Sequence, residues 1–505
     1  ETVGTFSLPE DEGRKPEWAY LGVTGDLLIA GAAFATFNED YGLKVKPTSW
    51  FDVTSSQTLV VMDRGTGRVL WSRKAANGFR HNGICAGGGK LFCIDVLPEP
   101  VVEALKRRGE RPKAKARLLA LDLRTGRVAW ETAKDVFGTW LGYSASRDLL
   151  VQAGRRSRDM VHGEPWKRII AYRGRDGSVA WDRQIEHAGP LMIHGDTLYT
   201  NAAVRAGAAV SLLTGEPKTR KHPLTGEPVP WAYHRYYGCN YVVASEHLLT
   251  FRSGAAGYTD LDGMSGTGNL GGFKSGCTSN LIAANGVLNA PDYTRTCTCS
   301  YQNQTSLAPD HMPDVETWTF NDLGEKKQAK AWVRHLGINL GAPGDRRAPD
   351  GALWLEWPFV GGPTPAIRIE AKGGPARAFR RHSSAVEAAP LPWVAASGLE
   401  GLAELRVALH PEPRKGDLRR YTVRLHLCEM GAAAPGERIL SVGLQGKRVL
   451  DALDVVTEAG GARRGIVREF RGVAVHGVLT ISLEAAASSR RPPLLCGVEI
   501  LAEGW

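Results

Sequence analysis

The strongest constraint on this chain is one hairpin written three times. Residues 59–73 read Leu-Val-Val-Met-Asp-Arg-Gly-Thr-Gly-Arg-Val-Leu-Trp-Ser-Arg. Residues 118–132 read Leu-Leu-Ala-Leu-Asp-Leu-Arg-Thr-Gly-Arg-Val-Ala-Trp-Glu-Thr, and 169–183 repeat the pattern up to Trp181. A degenerate fourth copy starts at Ser211. Each is an apolar strand, a tight turn with Gly, and a strand carrying Trp. A second motif alternates with it: Gly25-Asp-Leu-Leu-Ile-Ala, Gly89-Lys-Leu-Phe-Cys-Ile, Arg147-Asp-Leu-Leu-Val-Gln and Gly195-Asp-Thr-Leu-Tyr-Thr, then weaker copies at Glu246 and Asn285. Its reference positions Leu28, Phe92, Leu150, Leu198, Leu249 and Leu288 recur every 39 to 64 residues. Two hairpins per period of about fifty residues make four strands per repeat, the signature of a β-propeller blade. Six blade repeats are visible. An irregular sandwich has no reason to repeat one hairpin.

Composition agrees with an all-β chain. The 59 Gly and 28 Pro among 505 residues exceed the ~12% of average usage and imply many turns. No apolar run approaches the ~18 residues of a membrane-spanning helix, so no membrane span is expected. The opening Glu-Thr-Val-Gly-Thr-Phe lacks a basic start and an apolar segment, so any signal peptide is expected to have been removed or to lie on a missing N-terminal portion. Val3 to Leu8 reads as the last strand of a blade, which predicts seven or eight blades in the intact protein. The propeller is assigned to 1–310 and a polar linker with Lys326, Lys327 and Lys330 to 311–331. Residues 332–505 alternate as strands with no helical period and read as a β-sandwich.

The Asp-x-x-Thr-Gly-x-x-x-Trp pattern (Asp63 to Trp71, Asp122 to Trp130) resembles the tryptophan-docking repeat of pyrroloquinoline-quinone-like (PQQ-like) propellers. That superfamily includes quinoprotein dehydrogenases and non-catalytic outer-membrane assembly propellers. Residues 251–304 resemble the terminal part of large PQQ-like proteins of planctomycete type. The quinone dehydrogenases place adjacent cysteines beneath the cofactor. None of the eight cysteines here has a cysteine neighbour, so the quinone itself is not expected. Ile338-Asn-Leu-Gly-Ala-Pro-Gly, Asp350-Gly-Ala-Leu-Trp, Tyr421-Thr-Val-Arg-Leu-His-Leu-Cys-Glu and Cys496-Gly-Val-Glu-Ile resemble, in order, the malectin-like carbohydrate-binding domain. The resemblance implies a jelly-roll type sandwich that binds sugar through loop aromatics and an acid. Trp354, Trp357 and Asp350 are the matching substrate-binding candidates, the other reading of both Trp being core or interface packing. Cys496 stands where the family usually has Asn.

Eleven residues before each reference position stand Glu17, His81, Thr139, His187, Gly238 and Cys277. In a propeller these positions would converge on the channel, with His234 nearby. Imidazoles from different blades suit a divalent metal such as copper, manganese or calcium, so His81, His187 and His234 are candidate metal ligands; a merely polar channel is the alternative. Arg252, Tyr293 and Arg295, with these histidines, would suit lyase chemistry on a carboxylated sugar. Cys297 and Cys299 are too close to pair comfortably with each other. Either is expected to form a disulfide with Cys277 or Cys239, or else to be a metal thiolate or a buried thiol. Cys85 and Cys93 flank a Gly-rich turn and would meet only diagonally.

The formal net charge is +10, but the basic residues come as scattered clusters such as Arg380-Arg381 and Arg490-Arg491. Nucleic acid is therefore an unexpected partner; the pairs read as solvated loop residues or as a site for a polyanion, acidic polysaccharide included. Together these features predict a periplasmic or extracellular carbohydrate-directed protein with poly- or oligosaccharide as its partner. The alternatives are a metal-assisted carbohydrate-active enzyme (oxidoreductase, lyase or hydrolase) with its site at the propeller channel, and a scaffold that binds other protein chains.

Overall fold

A computed structural model describes residues 4–10, 13, 15–43, 54–154, 165–201, 206–236, 238, 240–264, 266–271, 273, 281–291, 306–310, 312, 314–373, 376–431 and 433–505. Tyr237, Cys239, Ser275, Cys277, Asp292, Tyr293, Arg295, Cys297 and Cys299 lie outside the described residues. The fold is all-β. The chain divides into two compact units: Glu1–Lys218 with Cys239–Glu246, and Thr219–Gly238 with His247–Trp505.

In the first unit the repeat becomes antiparallel meanders. One seven-stranded sheet runs in sequence order through Trp18–Thr24, Leu27–Phe34, Ser55–Asp63, Val69–Gly87, Lys90–Asp95, Arg117–Asp122 and Val128–Thr132. The 19-residue strand Val69–Gly87 serves two blades. Its first part pairs with Ser55–Asp63 and its last part with Lys90–Asp95, with a register break between Phe79 and Ile84. The next blade is Trp140–Ser144, Leu149–Ala153, Ile169–Arg173 and Val179–Arg183, the four strands the period requires. Ala188–His194, Thr197–Asn201 and Ala206–Ser211 begin another.

The repeated Trp and Gly form one docking device. The Trp71 indole donates to Leu123 O (3.0 Å), Trp130 to Gly174 O (2.8 Å) and Trp181 to Leu212 O (2.8 Å). Each ring lies on the turn glycine of the following repeat: a Cβ on Gly126 would sit 2.6 Å from Trp71 Cδ2, and one on Gly177 2.7 Å from Trp130 Cε3. Both glycines have φ near +70° (69° and 74°), so glycine is needed for conformation and for space at once. Phe6 packs on Gly67 in the same manner; residues 4–10 form no strand, so this stretch is held by docking where a terminal blade strand was expected. Each turn is locked by its own acid, as Asp63 Oδ1 accepts from Thr66 N–H and hydroxyl (both 2.8 Å) and Asp122 does the same with Thr125.

The second unit holds a short antiparallel sheet (Leu248–Ser253, Ala255–Asp260, Thr267–Asn269, Thr319–Phe320) and the sandwich. Six sandwich strands pair in the order Arg346–Arg347, Leu353–Trp357, His335–Leu340, Gly497–Ala502, Arg419–Cys428 and Gly465–Val475. Five more pair in the order Ile369–Lys372, Glu404–Ala408, Val478–Ala485, Ile439–Leu444 and Lys447–Asp454. Strict alternation fills the space between the sheets: Tyr421, Val423, Leu425 and Leu427 point inward, as do Leu336, Ile338, Leu353, Leu355, Val498 and Ile500, against Leu405, Val407, Leu479 and Ile481. Intervening residues therefore face away from the core. A third, three-stranded sheet is made of Arg377–Arg380, Ser397–Glu400 and Leu494–Leu495.

Candidate functional site

Alternation alone places Arg424, His426, Glu499, His335 and Trp354 on the outer face of the six-stranded sheet. Register brings them together: Arg424 faces Glu499 on one side and Glu469 on the other, and His426 faces Gly497 and Val467. The result is a chain of ion pairs: Glu469 to Arg424 Nε (2.7 Å), Arg424 to Glu499 Oε2 (3.0 Å), and Glu499 Oε1 to His335 Nε2 (2.9 Å). Burial pushes the Glu499 carboxyl up, but the bonds from His335 and Arg424 outweigh it and hold the group below the ordinary carboxylate range. Arg424, His426 and Glu499, with Ala348, Pro349, Asp350, Pro390, Leu391 and Val467, line a cleft of about 370 Å³. His426 is 5% exposed, its Nε2 has no hydrogen-bond partner, and burial lowers it to about 4. It is thus a neutral imidazole with an uncommitted nitrogen.

A second cleft, of about 310 Å³, gathers arginines far apart in sequence. It is lined by Arg377, Phe379, Arg380, Arg381, Arg491, Met430, Gly431, Glu400 and Glu429. Pairing of Arg377–Arg380 with Ser397–Glu400, and of that strand with Leu494–Leu495, draws them together. Beneath them lies Arg438, 1% exposed, whose Nε bonds Glu429 (2.6 Å) and whose second amino group bonds Glu400 (2.6 Å). Both lining acids are therefore held from below by one guanidinium, which offsets one of their two charges. Arg491 pairs with Glu437 (3.2 Å), while Arg377, Arg380 and Arg381 ion-pair with no carboxylate among the described residues. Arg380-Arg381 and Arg491 of the Arg490-Arg491 pair, scattered in sequence, thus meet at one cleft.

The sugar candidates named from sequence occupy different surroundings. Asp350 is exposed at the first cleft. Trp354 is wholly buried, edge-on to Trp393 (5.7 Å) and His426 (5.0 Å), and lies over Gly337, where a Cβ would clash at 2.1 Å. Trp357 is half-buried against the sandwich core.

Each channel candidate has its own local contacts. His81 bonds Ser56 Oγ (2.8 Å) beside Tyr20 and Phe34, and burial with Arg80 lowers it to about 4. His187 accepts from Gly154 N–H at Nε2 (3.2 Å) and donates from Nδ1 to Ile185 O (2.9 Å). Burial lowers it too. His234 belongs to the other unit, with its Nδ1 buried and unpartnered. Arg252 is buried opposite Ala256. Among the described residues, the His, Asp and Glu side chains that come within metal-binding reach of one another in threes are His335, Asp350 and Glu499. Sequence reading had not singled out His335 or Glu499. Glu499 stood inside the quoted Cys496-Gly-Val-Glu-Ile as a polar residue alternating with core positions, and His335 lay just before the quoted Ile338.

The four described cysteines, Cys85, Cys93, Cys428 and Cys496, are free thiols. Cys85 pairs across from Phe92 and Cys93 from Ile84, so the two point to opposite faces of their hairpin and no bridge forms there.

Residues 36–234 match the family model of the outer membrane protein assembly factor BamB, and residues 413–491 match that of the malectin domain. No curated protein matches the sequence. Among solved structures, BamB from Moraxella catarrhalis aligns at 14% identity and a TM-score of 0.30, over 53% of this chain and 76% of that one. The ANXUR2 extracellular domain from Arabidopsis thaliana aligns at 15% identity and a TM-score of 0.27, over 34% and 41%. A β-glucuronidase from Bacteroides uniformis aligns at 13% and 0.26, with 34% of this chain spanning 18% of that one. Among the described residues no helix is long and apolar enough to cross a membrane. The chain carries PQQ-like, BamB-type propeller repeats followed by a malectin-like sandwich.

Proposed function

We propose that this chain is an extracytoplasmic carbohydrate-binding protein whose sandwich seats an acidic oligosaccharide in the arginine cleft. The observation that carries the reading is the trio Arg377, Arg380 and Arg381, which ion-pair with no carboxylate among the described residues and stand beside Phe379 and Met430 over two acids held from below by Arg438. Guanidinium forks hold a carboxylate or sulfate bidentately, while the apolar pair gives a sugar face something to pack on. The malectin match over 413–491, which includes Glu429, Met430 and Arg491, supports the same assignment.

The test is a glycan array and calorimetry on the full chain, with uronate-containing, sulfated and neutral oligosaccharides. Acidic ligands should bind, more weakly as salt rises, and Arg380→Ala with Arg381→Ala should lower affinity at least tenfold. Equal affinity for neutral glucans would overturn the acidic preference, and no binding to any glycan would overturn the carbohydrate reading. The BamB-type match supports a second reading, in which the propeller repeats dock other proteins. Pull-down by residues 1–246 of a defined partner, with no glycan binding by the full chain, would favour it.

A further inference from the structure

We propose that His335, Asp350 and Glu499 bind one divalent transition-metal ion of the zinc class at the outer-face cleft of the sandwich. One donor atom from each residue lies within 4.8 Å of the other two, and the His335 Nε2–Glu499 Oε1 separation is already 2.9 Å. Two donors on one zinc ion, at ~2.0–2.2 Å each, stand roughly 3.3 Å apart in a tetrahedral site. Closing the set requires only a shift of Asp350, which is exposed on a loop.

Each carboxylate has one oxygen fixed and one left to ligate. Glu499 Oε2 is held by Arg424 (3.0 Å), which is itself held by Glu469 (2.7 Å). Asp350 Oδ1 accepts from Ala352 N–H (3.0 Å). Such outer partners aim ligands and fix their charge in metal sites. A zinc ion would replace the hydrogen bond between His335 and Glu499 with two coordinate bonds, the imidazole proton moving to Nδ1 or to solvent.

An independent observation comes from His426. Its imidazole lines the same cleft, is 5% exposed and leaves Nε2 without a partner. A buried polar atom without a bond is costly, and a water on the ion would satisfy it. The donor set selects the ion. One imidazole with two carboxylates suits zinc with a fourth position open to water or an outside ligand. Calcium, which takes 6–8 oxygens, does not suit it. The roughly 370 Å³ cleft supplies room at that open position.

The experiment is titration of the full, chelator-stripped chain with Zn²⁺, and with Co²⁺ as an absorbing probe, alongside elemental analysis. One equivalent should bind in the micromolar range or tighter, with a visible Co²⁺ band typical of four or five ligands and no competition from Ca²⁺. Asp350→Asn and His335→Gln should each weaken binding tenfold or more. The exposed Asp350 variant should keep the native melting temperature without metal and lose the rise that zinc gives the native chain. Absence of saturable binding below millimolar zinc would overturn the proposal. So would binding unchanged in both variants, or binding abolished by His81→Ala with His187→Ala.

Discussion

Replacing Gly126 by Ala tests whether tryptophan docking on the next repeat's turn holds the blades in place. Two costs follow from the geometry. The residue sits at φ +69°, where an L side chain is disfavoured by about 1–2 kcal/mol, partly offset by ~0.4–1 kcal/mol from a less flexible unfolded chain. The new methyl would also stand 2.6 Å from Trp71 Cδ2 and 2.9 Å from Cε3. That forces the indole off its site and strains the 3.0 Å bond to Leu123 O, an overpacking cost of roughly 1–3 kcal/mol. The sum is about 1–4.5 kcal/mol.

Gly89 separates the two contributions. Its φ is +76°, yet a Cβ there meets nothing within 4 Å, so Gly89→Ala carries the backbone cost alone. Denaturant titrations followed by tryptophan fluorescence should show Gly126→Ala destabilised by about 1–3 kcal/mol more than Gly89→Ala. In a Trp71→Ala background the excess should vanish, because the clash partner is gone. Equal penalties for the two glycines, or an excess that survives without the indole, would refute docking as the reason for the repeat.

Three further outcomes are expected. Asp95, wholly buried, accepts from the N–H groups of Ala76, Asn77 and Gly78 (2.8–3.0 Å). Asp95→Ala should cost several kcal/mol at ~1–3 per orphaned donor, measured by chemical denaturation, with Asp95→Asn milder. Arg438→Ala leaves Glu429 buried and unpaired and should cost about 3–5 kcal/mol, whereas Arg124→Ala, which breaks only an exposed pair with Asp26, should leave stability nearly unchanged. His81 protonates near 4 in the fold and near 6.5 unfolded, so the unfolded chain takes up the proton first. Its contribution to stability is whole above about pH 6.5 and is lost as pH falls toward 4. An NMR titration midpoint above 6 for His81 would contradict its burial.

The blades were legible because they are local. A turn glycine with a Trp four residues after it recurs in all three full hairpins, and an acid three residues before a threonine marks the first two. The pairing of Val69–Gly87 into two blades at once was not legible, since nothing in its composition marks the register break at Phe79 to Ile84. The clefts were hidden for a related reason. Arg377 and Arg491 stand more than a hundred residues apart and meet only through strands that pair out of sequence order. Trp354 reads as a sugar platform while its neighbours are unknown. Gly337 and Trp393 make it a buried support behind His426.

Asp95, Gln152 and His187 in the blades and Glu499 and His426 in the sandwich spend their polar atoms differently. In the propeller blades, Asp95, Gln152 and His187 turn their donors and acceptors onto nearby backbone, which holds strand ends and loops. Such groups stabilise a shape and leave nothing over for a ligand. The sandwich does the reverse. It buries Glu499 and His426 beside an open cleft, ties the acid to Arg424, and leaves the His426 nitrogen and one Asp350 oxygen uncommitted. Buried ion pairs gain little over apolar packing, so stability alone does not account for the arrangement on the sandwich face. A ligand that completes those bonds does, which is why the metal titration is aimed at the sandwich, with the propeller histidines as its control.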